Sequence, residues 1–62
     1  MKIKDFIRFM LFSEDIKIMD NDHNLLFEGI VSEFIPLLEK NKHFEVDTFY
    51  CVNNVIYIIV TM

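Results

Sequence analysis

The seven residues Val55–Thr61 read Val-Ile-Tyr-Ile-Ile-Val-Thr, so every position is β-branched or aromatic. Side chains of this kind lose rotamer freedom in a helix and pack well on a pleated surface, which makes the run a strand. Asn53-Asn54 stands directly before it and supplies two residues that tolerate the positive φ angles of a tight hairpin turn. Upstream, residues 43–52 alternate Phe44, Val46, Thr48, Tyr50 and Val52 against Glu45, Asp47, Phe49 and Cys51, the period of a strand that leads into the turn. The last strand is apolar at every position except its final threonine, whereas a strand with one wet face would alternate. Both of its faces are therefore expected to be covered.

The rest of the chain repeats the theme with helices added. Ile3, Phe6, Ile7, Met10 and Leu11 fall at i, i+3, i+4, i+7 and i+8, one stripe of a helix expected over residues 2–11. Phe9 and Phe12 lie outside that stripe, so either the buried face is wide or aromatic surface is left for a partner. From Asp15 the period becomes two, with Ile16 and Ile18 on one face and Lys17 and Met19 on the other. The run Asp20-Asn21-Asp22-His23-Asn24 has the short polar side chains of a turn, and Leu25-Leu26-Phe27-Glu28 resumes a strand. Gly29 marks the end of that strand or a bulge in it. A second, short helix is expected over residues 32–40, starting later than Ser32 because Pro36 is best tolerated in a first turn. The expected fold is α+β in the order αββαββ: two antiparallel hairpins forming a four-stranded sheet, packed with two short helices.

Sixty-two residues hold one core at most, so a single domain over residues 1–62 is expected. The lone Cys51 has no internal disulfide partner, and this fits a reducing compartment. No run reaches the roughly 20 apolar residues of a membrane span, and the opening residues do not form a signal peptide. Together these point to a cytoplasmic protein. A net charge of −4 opposes direct nucleic-acid binding, and the only basic grouping, Lys2, Lys4 and Arg8, is interrupted by Asp5.

Tests for chemistry return little. Asp20-x-Asp22-x-Asn24 matches the opening ligands of a calcium loop, yet Leu25 replaces the turn glycine and Val31 the closing glutamate, so a polar hairpin turn is the reading. His23, His43 and Cys51 lack the paired close spacing of metal ligands. If His43 and Cys51 both lie in the third strand, their eight-residue separation puts them about 26 Å apart and they form no nucleophilic pair. One glycine builds no phosphate-binding loop. No catalytic residue, cofactor, metal, membrane or small-molecule substrate is therefore expected, and the chain reads as no enzyme.

What remains is contact with another macromolecule. The candidate apolar contacts are Phe9, Phe12, Phe49, Tyr57 and Ile59, and a candidate acidic surface comprises Glu14, Asp15, Asp20, Asp22 and Glu28. The opening Met-Lys-Ile-Lys-Asp-Phe-Ile, the segment from Ile16-Lys17-Ile18-Met19-Asp20 to Leu26-Phe27-Glu28-Gly29, and the closing Val55-Ile56-Tyr57-Ile58-Ile59-Val60 resemble short uncharacterised proteins of low-GC Gram-positive bacteria and their phages or conjugative elements. That resemblance implies a setting in which small acidic proteins act by binding. The expectation is a self-associating, homo-oligomeric accessory module, with an inhibitor of a host defence enzyme, anti-CRISPR-like, as the alternative.

Overall fold

The computed structural model describes residues 1–61. Helix α1 (Ile3–Ile7) is followed by strands β1 (Asp15–Asp20) and β2 (Leu25–Ile30). Helical segment 31–41 then runs as α2 (Val31–Phe34), a 3₁₀ turn (Ile35–Leu37) and α3 (Leu38–Asn41), and β3 (Glu45–Val52) and β4 (Val55–Thr61) complete the order. No helix among the described residues is long and apolar enough to cross a membrane.

Both hairpins are antiparallel, but the sheet as a whole is mixed. Its order is β2-β1-β4-β3, and the inner strands β1 and β4 pair in parallel, with Ile18 opposite Ile58. The reason is topological. Segment 31–41 carries the chain from one edge of the sheet to the other, and a crossover of that length delivers β3 parallel to β2. Each hairpin then places its second strand antiparallel to its first, which leaves the two inner strands pointing the same way.

The first helix is shorter than the stripe of apolar residues predicts. It stops at Ile7, and Phe9 and Met10 continue in tight turns through N–H bonds to the carbonyls of Phe6 and Ile7. The backbone beyond is engaged elsewhere: the carbonyls of Phe12 and Glu14 accept the N–H groups of Ser32 and Val31, both at 3.0 Å. Those are two of the unpartnered donors at the start of α2. The Glu33 carboxylate reaches back to the Ile30 N–H at 3.2 Å. With its start held in this way, the helical segment begins at Val31, earlier than Pro36 implied, and Pro36 sits in the 3₁₀ turn where its missing N–H interrupts the α-helical ladder.

The core lies between the helices and one face of the sheet. Ile3 and Ile7 of α1, Val31 and Phe34 of α2, Phe44, and the inner-strand residues Ile16, Ile18, Ile58 and Val60 are all buried. The expectation that both faces of the last strand are covered fails: Ile58 and Val60 face the helices, whereas Val55, Tyr57 and Ile59 lie half-buried on the opposite face. Their shielding comes from neighbouring strands rather than from a second layer.

Two irregularities decide which side chains share a face. In β2 the register slips at Leu26, and Gly29 stays in the ladder opposite Ile16. In β3 the slip falls at Asp47, between the pairs Val46–Val60 and Thr48–Ile59. This bulge switches the alternation, so Val46 lies on the helix side while Thr48, Tyr50 and Val52 lie on the open side.

Candidate functional site

The five apolar candidates do not form one patch. Phe9 is 84% exposed and Phe49 57% exposed, and both line a groove of about 560 Å³ between α1 and β3, together with Met1, Phe6, Met10 and Val46. The Phe49 ring packs against Phe6 with centroids 4.8 Å apart. Phe12, 69% exposed, lines a second groove between α1 and the 31–41 segment, beside Ile7, Ile35 and Leu38 and rimmed by Lys4 and Arg8. Tyr57 and Ile59 lie on the open face of the sheet. Phe9 and Phe49 share one groove, Tyr57 and Ile59 share the open face, and Phe12 stands apart from both.

The acidic set is similarly divided. Asp15 and Asp20 stand at opposite ends of β1, about 16 Å apart at 3.3 Å per residue. Glu14 accompanies the first and Asp22 the second. Glu28 is paired with Lys17 at 3.2 Å. The Asp20 carboxylate is taken up by its own turn: Oδ1 accepts the N–H groups of Asp22 and Asn24, both at 2.9 Å, and Oδ2 accepts the Asn24 side-chain amide at 3.0 Å. These bonds, the Asn24 side chain first, hold the Asp20 carboxyl below its ordinary range. Among the described residues no three of His, Cys, Asp and Glu are grouped to hold a metal ion.

Sequence reading missed the outer edge of β3. Residues 1–3 run antiparallel to its beginning: Ile3 N–H donates to the Phe44 carbonyl at 3.0 Å, Val46 N–H donates to the Met1 carbonyl at 2.7 Å, and Lys2 lies opposite Glu45. Glu45 is matched there by Lys2 Nζ at 2.8 Å and the Met1 amino group at 3.3 Å, and Lys2 foremost pulls its carboxyl below the usual range. Beyond Val46, nothing among the described residues pairs with that side of the strand. The bare stretch runs from Asp47 to Val52, all exposed, and after the bulge residue Asp47 its five residues Thr48-Phe49-Tyr50-Cys51-Val52 are uncharged.

Hairpin geometry fixes which backbone groups face outward. Asn53 and Asn54 have φ of 51° and 67°, both positive as a two-residue type I′ turn requires. Such a turn makes Val52–Val55 a hydrogen-bonded pair, and alternation extends this to Tyr50–Tyr57 and Thr48–Ile59. The N–H and C=O groups of Phe49 and Cys51 therefore point away from β4 to the free edge. The open face of the sheet also carries a row of residues that ends there. Glu28, Lys17, Tyr57 and Tyr50 are successive cross-strand neighbours from β2 to β3. Lys17 Nζ lies 5.5 Å from the Tyr57 ring centroid, and the Tyr57 and Tyr50 rings stack at 5.1 Å with 5° between their planes. Glu28 foremost, with Tyr57, raises the Lys17 pKa above its ordinary value.

Set against models of known protein families, curated proteins and solved structures, the chain matches none.

Proposed function

We propose that this protein is a small, non-enzymatic interaction module that works by associating with another copy of itself, as an accessory protein of a phage or mobile element. One observation carries the reading: a sheet edge of five exposed, uncharged residues beside an apolar groove lined by Phe9 and Phe49. Unpaired edges of this length and composition invite strand addition, and monomeric proteins blunt them with charge, proline or a covering segment. Here a covering segment exists, residues 1–3, and it ends at Val46. The alternative of an acidic inhibitor needs its carboxylates on one surface, whereas Glu14 and Asp15 stand at one end of β1 and Asp20 and Asp22 at the other.

Sedimentation equilibrium across about 1 to 200 µM tests this, because an interface of a few strand residues and a groove implies a dissociation constant of roughly micromolar order. A reversible monomer–dimer equilibrium is expected. A monomer throughout that range overturns self-association.

A further inference from the structure

Resting on the self-association reading above, we infer a specific partner geometry: two copies join antiparallel through β3 about a two-fold axis at Tyr50, making one continuous eight-stranded sheet. The free window itself sets the register. It runs from Thr48 to Val52, bounded on one side by Met1, which already holds the Val46 N–H, and on the other by the Asn53-Asn54 turn. Tyr50 is its midpoint. With Tyr50 opposite its symmetry mate, Thr48 faces Val52 and Phe49 faces Cys51 of the second copy.

This register satisfies the backbone. Phe49 and Cys51 are the window residues whose N–H and C=O groups point outward, and the Tyr50-centred pairing sets each opposite the other. Phe49 N–H donates to the Cys51 carbonyl of the second copy and Cys51 of that copy donates back, and the symmetry doubles this to four bonds. A slip of two residues in β3 pairing breaks the match. It brings Asp47, the bulge residue, opposite Cys51 in one direction, and pushes Phe49 opposite the turn residue Asn53 in the other.

Charge favours the same arrangement. The chain carries −4 overall, yet Thr48–Val52 carries none, and the acids of β3, Glu45 and Asp47, both precede the window. Antiparallel pairing sends the two sets of acids to opposite ends, with Asp47 beside the neutral Asn53, whereas a parallel pairing would set like charges side by side. On the open face, the row Glu28-Lys17-Tyr57-Tyr50 meets its own continuation across the axis as Tyr50 against Tyr50. On the helix side, Phe49 of each copy comes to the mouth of the groove that Phe6 and Phe9 line. The second copy therefore meets backbone donors and aromatic surface, and Asp47, the one charged side chain lining that groove, stands beside its Asn53.

Two measurements test the register apart from self-association itself. The first is oxidative cross-linking with copper phenanthroline in a Cys51→Ser background. Tyr50→Cys should give a disulfide-linked dimer, because directly opposite non-hydrogen-bonded positions lie about 4.5 Å apart at Cα. Thr48→Cys should not, since its symmetry mate lies four residues along the strand. The second is sedimentation of Tyr50→Lys, which sets two like charges face to face and is expected to weaken dimerisation roughly tenfold or more. Leu26→Lys, on the other edge of the sheet, should leave the dissociation constant unchanged. A dimer that links through Thr48→Cys and not Tyr50→Cys, or one indifferent to Tyr50→Lys while sensitive to Leu26→Lys, overturns this geometry and leaves self-association standing. A wild-type monomer at all concentrations overturns both. Circular dichroism of each variant confirms that it is folded, and the cross-linking result stands even if Tyr50→Lys is not.

Discussion

The outer strand β2 has a charge near its middle at Glu28, an extra residue at Leu26 and a glycine before its end, whereas the outer strand β3 has its charges, Glu45 and Asp47, and its extra residue, Asp47, within its first three positions and none of these from Thr48 to Val52. Both are edges of the same sheet, and only the beginning of β3 has a partner on its outer side, in residues 1–3. Charge and bulges are the usual means of discouraging an incoming strand, so β2 is defended along its length and β3 only at its beginning. There the bulge at Asp47 and the covering residues 1–3 do the work. The proposed self-association draws on this contrast, because stability of the fold requires no such asymmetry.

The largest effects belong to the interior that both edges share. Ile18 in β1 and Ile58 in β4 are fully buried and directly opposite each other, so truncating either opens a cavity beneath both hairpins. Ile18→Ala and Ile58→Ala are each expected to cost about 3 kcal/mol in urea unfolding. A chain of this length has a total of only about 3–9 kcal/mol, so either variant approaches the unfolding limit. Ile59→Ala, one residue along β4 but on the open face, should cost about 1 kcal/mol. Equal losses for Ile58 and Ile59 would mean that the open face is covered after all, and the comparison between covered and bare surface would fail.

Much of this was legible in the sequence, and what was not has a physical reason. Hairpins are local: a period of two on either side of Asn53-Asn54 or of the Asp20–Asn24 turn specifies antiparallel neighbours, and both formed. The parallel contact of β1 with β4 joins Ile18 to Ile58 across most of the chain, and no local pattern encodes it. Helix ends went astray because their carbonyl and N–H groups were claimed by distant backbone, as when Phe12 and Glu14 hold the start of α2. The apolar contact set split because one residue, Asp47, switches the faces of β3 and turns Phe49 toward the helices, away from Tyr57 and Ile59. The free edge itself leaves no mark in composition, since Thr48–Val52 reads like any half-buried strand.

Smaller effects separate the two edges through their backbone. Gly29 has φ of 157°, and a Cβ there would stand 2.6 Å from Glu33 Oε1 and 3.2 Å from the Phe27 ring. Gly29→Ala must displace the carboxylate that holds the Ile30 N–H, and should destabilise by about 1–2 kcal/mol. In the other hairpin the strain is mild and removable. Asn54 adopts φ of 67°, which glycine reaches without a Cβ contact, and Asn-Gly is the preferred pair for this turn. Asn54→Gly is expected to stabilise by about 0.5 kcal/mol in thermal unfolding, measured at a concentration at which sedimentation gives a monomer. A loss instead would show that the Asn54 side chain contributes bonds that outweigh its backbone cost.

The smallest difference is electrostatic and appears with pH. Asp20, in the turn before β2, is held below the usual carboxylate range by the Asn24 side chain first and by backbone donors after it. Glu45, at the start of β3, is lowered by Lys2 first and the amino terminus after it. A carboxyl with a depressed folded pKa adds stability above its unfolded value and loses it as pH falls through its folded value. Both groups therefore stabilise at neutral pH, and the melting temperature should fall as pH drops below about 4, the unfolded carboxyl range. The two losses differ in their response to salt. Glu45 relies on exposed ion pairs that added sodium chloride screens, whereas Asp20 relies mainly on hydrogen bonds within its turn. Asp20→Asn should reduce the acid-induced fall in melting temperature equally in low and high salt, and Glu45→Gln should reduce it only in low salt. If Glu45→Gln acts alike in both, the Glu45 carboxylate is held by hydrogen bonds from Lys2 and the Met1 amino group that salt does not screen, rather than by exposed charge attraction.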